Sequence, residues 1–354
     1  MTIKEKVIDT HLHIDAWENE EGSFTDCFEA HRTQAALHTV NICAIGSAQT
    51  LLCNNMMAAF YKLAHPHTYI HGGVDHLRFP IGEMPSGMDL VTQYRELMDI
   101  GFDGVKMLEG KPNYHKKIGG DMNAPSLDRL YGEMERNGTH LVIHVNDPAE
   151  FWDESKVGHE AIEKGWFYGD GTYATREELY RQAAVMLENH PNLKVTFAHF
   201  FFSADCPERV IEMLEKYPNV AVDLTPCPEL YPIFEEKREY YKEFFPRYSE
   251  RVMLGTDGTF PSPTYTHVWC IQTLYGYIAT ENTQMAFCDT PLTGIGMTGE
   301  AKENILWRNF ERRVGKEPKP ICPKALKDYI DKYRSLLTAE VWTRLEPLYN
   351  QYLL

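Results

Sequence analysis

LENHPNLKVTFAH (residues 187–199) and LEKYPNVAVDLT (residues 214–225) are two copies of one layout. Each carries a helical segment, a proline at 191 or 218, and then a short β-branched or aromatic run. KLAHPHTYIHGG (62–73) repeats the arrangement around Pro66. A proline just past a helix end cannot continue the helix, and it pushes its predecessor out of the α region. Two further junctions use glycine, Gly101 in LMDIGFDGVKM and Gly138 in MERNGTHLVIHV, where a left-handed cap suits glycine. Helix, stop and strand therefore alternate.

Working outward from these junctions, eight strand-like runs emerge: VIDTHLHI, TVNICAIG, TYIHGGVDH, FDGVKML, HLVIHV, KVTFAHF, NVAVDLT and RVMLGTDG. Amphipathic helical stretches separate them, for example 88–100, 175–190 and 206–217, with apolar residues three and four apart. Such alternation predicts an α/β fold with a parallel sheet and right-handed crossovers, and eight units predict a closed (β/α)8 TIM barrel. A doubly wound sheet competes, but it needs a Gly-rich phosphate turn after the first strand, and none is present. The barrel is expected over 1–315. Residues 316–354, which include the GKEPKPICPK stretch, are too few for a core of their own and read as polar helices packed outside the same domain.

Hydrophobic content of 43% and aromatic content of 12% are ample for a packed interior. A formal net charge of −16 argues against nucleic acid and anionic membrane surfaces as partners. The eight cysteines form no Cys-x-x-Cys pair, which argues against a zinc ribbon or a thioredoxin-like motif. Several sit in apolar runs such as NICAIG and HVWCIQ, as reduced buried thiols do. With no signal-peptide-like start and no long apolar segment, the chain reads as soluble and cytoplasmic.

The chemistry sits at the strand ends. In VIDTHLHID (7–15), His11 and His13 are spaced to share one face of a strand, and Asp9 shares it too. Alone, this His-x-His fits a metal site and a pair of surface histidines equally well. Yet Lys106 in GVKML, His144 in VIHV, His199 in FAHF and Asp257 in GTDG occupy the same place on four other strands. In a barrel these positions line the catalytic rim, and such groups meeting there point to a metal site. The loop 146–175, rich in Trp, Tyr and Gly, is the expected cover of a substrate pocket, together with loops 14–30 and 77–87.

This ordered set, with GFDGVK (101–106), PNLKVTFAHF (191–200), RVMLGTDG (251–258) and GEAKENILWRNFERRVG (299–315), resembles the amidohydrolase superfamily of metal-dependent hydrolases. The similarity is greatest to its amidohydrolase-2 branch, which includes aminocarboxymuconate-semialdehyde decarboxylase. The resemblance implies that His11, His13, His144 and Asp257 hold one divalent ion, zinc before manganese, since imidazole and carboxylate suit both. It implies His199 as general base and Asp257 as a second proton carrier. Lys106 would bridge a second ion if carboxylated; otherwise it touches substrate or pairs with a carboxylate such as Glu109 or Asp75. Arg78 is a candidate for a substrate carboxylate, and Trp152, Trp166 and Tyr168 for an aromatic wall. Asp9 is a candidate partner for a liganding histidine. The implied reaction is attack of a metal-activated water on an amide, ester or lactone carbonyl of a small molecule. A decarboxylase or hydratase acting on a small aromatic or unsaturated acid is the alternative. By family analogy alone, a homodimer is expected.

Overall fold

The computed structural model describes residues 3–14, 27–78, 84–260 and 264–354. The expected specificity loops 14–30 and 77–87 thus lie partly outside the described residues. Nine parallel strands run through the molecule: β1 Ile8–Ile14, β2 Thr39–Ala44, β3 Tyr69–Gly72, β4 Gly104–Gly110, β5 His140–Val145, β6 Lys194–Phe197, β7 Val220–Asp223, β8 Val252–Met253 and β9 Gly258–Phe260. Their order in the sheet is β8-β7-β6-β5-β4-β3-β2-β1-β9. Helices fill the connections, so the expected TIM-barrel alternation is what the chain adopts.

The eighth unit closes the ring in two pieces. β8 pairs with β7, and β9, four residues later, pairs with β1. Between them, Thr10 N–H donates to the Leu254 carbonyl (3.0 Å) and Asp257 N–H donates to the His11 carbonyl (2.8 Å). Gly255 is required in this interruption, because a Cβ there would come within 2.6 Å of the His11 Cβ. Asp257 follows in a left-handed conformation, φ 56°. The break turns the Asp257 side chain towards the histidines of β1.

The stop signals act as read. The helices Leu51–Ala64, Arg176–Asn189 and Pro207–Lys216 each end two residues before Pro66, Pro191 and Pro218. Gly101 (φ 112°) and Gly138 (φ 62°) are left-handed caps. At the N-terminal end of the barrel, Ile8, Tyr69, Ala221 and Met253 pack with Phe310, so the barrel bottom is plugged by a C-terminal helix. Above the plug runs a buried polar chain: His71 Nδ1 to Asn41 Oδ1 (2.7 Å), His71 Nε2 to His140 Nδ1 (2.9 Å), and His140 Nε2 to Thr196 Oγ1 (2.8 Å).

The helices Pro323–Tyr333 and Ala339–Leu353 pack against Leu51–Ala64, and the former also against Leu90–Ile100. Cys322 N–H donates to the Ile100 carbonyl (2.8 Å) and Tyr333 Oη donates to Glu96 Oε2 (2.8 Å). Among the described residues there is no disulfide, and no helix is long and apolar enough to cross a membrane.

Candidate metal centre

His11 and His13 leave β1 at the C-terminal rim, and Asp257 reaches them from the β8–β9 break. One donor atom from each of these three residues lies within 4.8 Å of the others. His13 Nε2 stands 3.0 Å from Asp257 Oδ1, and His11 Nε2 stands 3.5 Å from the same oxygen. His11 and His13 are buried in the rim, and the Asp257 side chain is one-third exposed.

The second nitrogen of each ring decides what the first can do. His11 Nδ1 donates to Asp223 Oδ2 (2.8 Å), and His13 Nδ1 donates to the Cys43 carbonyl (2.9 Å). Both acceptors lack protons, so in the neutral rings Nε2 carries the lone pair. At His13, a neutral ring sets that lone pair against a carboxylate oxygen at 3.0 Å, an approach that takes either a second proton on the ring or a cation between the two. A cation resolves the conflict. Two imidazoles and a carboxylate are a donor set suited to zinc or manganese, so the residues present fit the ion.

Burial, aided by the charge of Lys106, pushes His11 down to about 4, keeping the ring neutral for ligation. Burial alone would raise Asp257, but His199, His13 and His11 hold its carboxyl well below the usual range. Lys106 Nζ lies 2.9 Å from His11 Nε2 and is itself buried, which lowers its pKa. It therefore occupies the lone pair an ion would take. Neither expected carboxylate is its hydrogen-bond partner: Asp75 holds Arg78, and Glu109 lies beside His76.

His199 and His144 complete the rim from β6 and β5. His199 Nδ1 lies 3.2 Å from the Thr225 carbonyl, leaving Nε2 on the side of Asp257 Oδ2, 4.0 Å away. His144 stands outside the triad, its ring centroid 4.9 Å from that of His199. Its Nε2 donates to Asp147 Oδ1 (3.0 Å), so Nδ1 is the nitrogen that can serve as ligand. Asp147 also accepts from Lys111 (2.7 and 2.8 Å) and Tyr168 Oη (2.7 Å). Burial and the Lys111 charge drop His144 to about 3.

The remaining expected residues are engaged by other parts of the chain. The Arg78 guanidinium is engaged by Asp75 Oδ2 (2.9 Å) and the carbonyls of Leu336 and Ala48, so it ties loops together. Trp152, Trp166 and Tyr168 form a satellite cluster with Phe151 and Tyr173; Trp152 donates to the Ala174 carbonyl. They pack the loop after β5, and Tyr168 reaches the centre only through Asp147. Asp9 serves His31 (3.0 Å) and Thr256, and the partner of His11 is Asp223.

Asp223 and Asp147 went unread in the sequence. The signal for Asp223 is its place in NVAVDLT, at the end of a strand like every other rim residue. Phe202 also went unread; its ring lies 5.0 Å from His144 and 4.9 Å from His199. It is placed by a turn, His199 to Phe202, in which four consecutive residues have φ between 46° and 58°.

Solved structures share the fold at low identity. A TIM-barrel protein from Bordetella bronchiseptica is 15% identical with a TM-score of 0.52, covering 87% of this chain and 98% of its own. A probable 2-pyrone-4,6-dicarboxylic acid hydrolase from Acinetobacter baumannii is 12% identical with a TM-score of 0.52, covering 87% and 99%. A 2,6-dihydroxybenzoate decarboxylase from Rhizobium is 11% identical with a TM-score of 0.51, covering 89% and 99%. No curated protein matches the chain. The amidohydrolase family model of the amidohydrolase-2 type matches residues 8–309, a span that runs from the first strand through every rim residue named above, and the chain belongs to that family.

Proposed function

We propose that this protein is a metal-dependent hydrolase acting on an amide, ester or lactone carbonyl of a small molecule. The observation that carries the reading is the His13 Nε2–Asp257 Oδ1 approach of 3.0 Å beside an imidazole, His199, whose Nε2 is free on the same side. His11, His13 and Asp257 would hold the ion, with His144 joining through Nδ1. When bound, such an ion supplies Lewis-acid polarisation of the carbonyl and acidifies water.

The chain's own groups manage the proton. His199 Nε2 takes it from the attacking water and returns it to the leaving atom, while the Thr225 carbonyl keeps Nδ1 protonated and the ring oriented. Asp257 Oδ2, 4.0 Å away, is the second place the proton can rest. Asp223 couples the two roles, holding His11 through Oδ2 and the His199 backbone N–H through Oδ1 (2.8 Å).

A lyase on the same residues is the second reading, favoured by the decarboxylase among the similar structures and by a buried amine, Lys106, at the rim. The experiment is elemental analysis of protein purified without chelators, followed by a panel of lactones, amides and aromatic acids. One zinc or manganese per chain with lactone or amide cleavage and no CO2 supports the hydrolase. Release of CO2 from an aromatic acid transfers the assignment to the lyase. Absence of metal that added ions do not restore removes both.

A further inference from the structure

The described residues hold a second cluster of metal-ligating side chains, far from the rim. Glu29 lies on the helix Cys27–Gln34, and His65 and His67 flank Pro66 in the turn between the helix Leu51–Ala64 and β3. That turn enters β3 at its N-terminal end, so the cluster sits at the barrel end opposite the catalytic one. One donor atom from each of the three residues lies within 4.8 Å of the others. His67 Nε2 stands 3.1 Å and His65 Nδ1 3.9 Å from the same oxygen, Glu29 Oε2. Ligands about 2.1 Å from a tetrahedral zinc stand about 3.4 Å apart, so these two gaps straddle the spacing an ion would set.

The chain holds this arrangement in place. Thr68 N–H donates to the His65 carbonyl (3.0 Å) and closes the turn around Pro66, while Thr39, at the start of β2, donates through Oγ1 to the His67 carbonyl. The Tyr61 ring packs on the His65 imidazole, centroids 4.7 Å apart. Arg32 grips Glu29, with Nη2 on Oε1 and Nε on Oε2 (2.9 Å). A carboxylate oxygen has two lone pairs, so Oε2 can serve Arg32 with one and face the imidazoles with the other. Outer partners of this kind orient a ligating carboxylate, although the guanidinium charge also weakens its hold on a cation. The three side chains are open to water, His67 at 44%, Glu29 at 25% and His65 at 20% exposure. An ion can reach them directly and leave as readily.

We propose that Glu29, His65 and His67 form a second, exchangeable site for a divalent transition ion of the zinc type, which clamps the helix Cys27–Gln34 to the turn before β3. Two imidazoles and a carboxylate select zinc, nickel or copper over magnesium and calcium, which take oxygen ligands. The same helix carries His31, whose Nε2 meets Asp9 of β1 at 3.0 Å. The clamp therefore braces a helix seated on the strand that bears His11 and His13. Desalting strips this exposed ion, so protein as isolated carries only the rim ion.

The test is a zinc titration of the desalted full chain, read by calorimetry and by thermal unfolding, on the wild type, His65→Ala and His67→Ala. The wild type should take up one further zinc per chain and gain in Tm as zinc is added, since an ion that binds only the native state stabilises it. Each variant should weaken this uptake by at least about tenfold, a lost ligand costing no less than a lost outer partner. Each should also lose the gain in Tm, and magnesium in place of zinc should give neither effect. A wild type that takes up no further zinc overturns the site, because His67 and Glu29 would then be a plain ion pair. So does uptake that either variant leaves unchanged, or equal uptake of magnesium. Uptake without a gain in Tm overturns the clamp, since the ion would then bind the unfolded chain as well. Uptake that both variants lose, in a chain whose rim takes no ion, strikes at the rim reading alone.

Discussion

Asp223 Oδ2 accepts the Nδ1 proton of His11 at 2.8 Å while its other oxygen accepts the backbone N–H of His199. Burial would raise this carboxyl, but the imidazole of His11, by charge and hydrogen bond, pulls it down to about 2. One carboxylate therefore fixes the ring of an expected ligand and the position of the expected base. Carboxylates in this position typically change metal affinity by about 10- to 100-fold. Asp223→Asn should weaken zinc binding by about that factor, measured by competition with a chromophoric chelator. An unchanged affinity would mean that Asp223 does not set the ligand.

His199 separates chemistry from metal binding. Its ring is held through Thr225, outside the His11–His13–Asp257 triad. Replacing it with Asn should lower kcat by about 10²- to 10⁴-fold, the usual contribution of a positioned base, with zinc content unchanged. Loss of an ion together with activity would place His199 among the ligands.

Lys106 decides between one ion and two. Its Nζ contacts His11 Nε2, and burial lowers its pKa, so a neutral amine is accessible. A neutral amine is the form that reacts with CO2, yet the same atom sits where an ion would bind. The expected metal content is one per chain in both the wild type and Lys106→Met, read by elemental analysis after growth with and without added bicarbonate. Two ions in the wild type falling to one in the variant would establish a carbamate bridge instead.

Much of this was legible because the barrel repeats itself. The prolines at 66, 191 and 218 and the glycines at 101 and 138 are local stop signals, and each ends a helix as read. Rim residues could be found because strand ends are marked by the same signals. The break between β8 and β9 could not be, since RVMLGTDG reads as one strand and only the contact of Gly255 with His11 interrupts it. The partners of Arg78 were hidden for a related reason. Its sequence neighbourhood does not reveal Ala48 and Leu336, which lie far along the chain and occupy its guanidinium.

Stability should fall in mild acid because of the buried His71–His140 pair. Burial pushes His71 down to about 3 and His140 well below its ordinary value. Between about 6.5, the unfolded value, and the folded value, the unfolded chain binds protons that the native one does not, so stability drops as pH falls through that window. It is fully present above the unfolded value. Tm measured from pH 7 to pH 4 should decline, and His71→Asn should flatten the decline while lowering Tm at pH 7, because Asn41 and His140 lose a partner. An identical slope in the variant would assign the acid sensitivity to other groups.

The left-handed turn from His199 to Phe202 sets strain against packing. An L-residue in this conformation costs about 1–2 kcal/mol, and four stand in succession. The opposing contribution comes from the side chains. Phe200 is buried against Phe234, Phe244 and Phe245, Phe201 against Phe197 and Tyr180, and Phe202 against both rim histidines. Truncating a buried Phe costs about 3–5 kcal/mol, more than one residue's strain. Phe201→Gly, which relieves strain at one position, should therefore still destabilise the chain by about 1–4 kcal/mol in urea unfolding. Phe202→Ala should be less costly to the fold than to the site, weakening zinc binding or lowering kcat, because its ring packs on His144 and His199. A stabilised Phe201→Gly would show that strain outweighs packing, and that the turn persists for the sake of His199 alone.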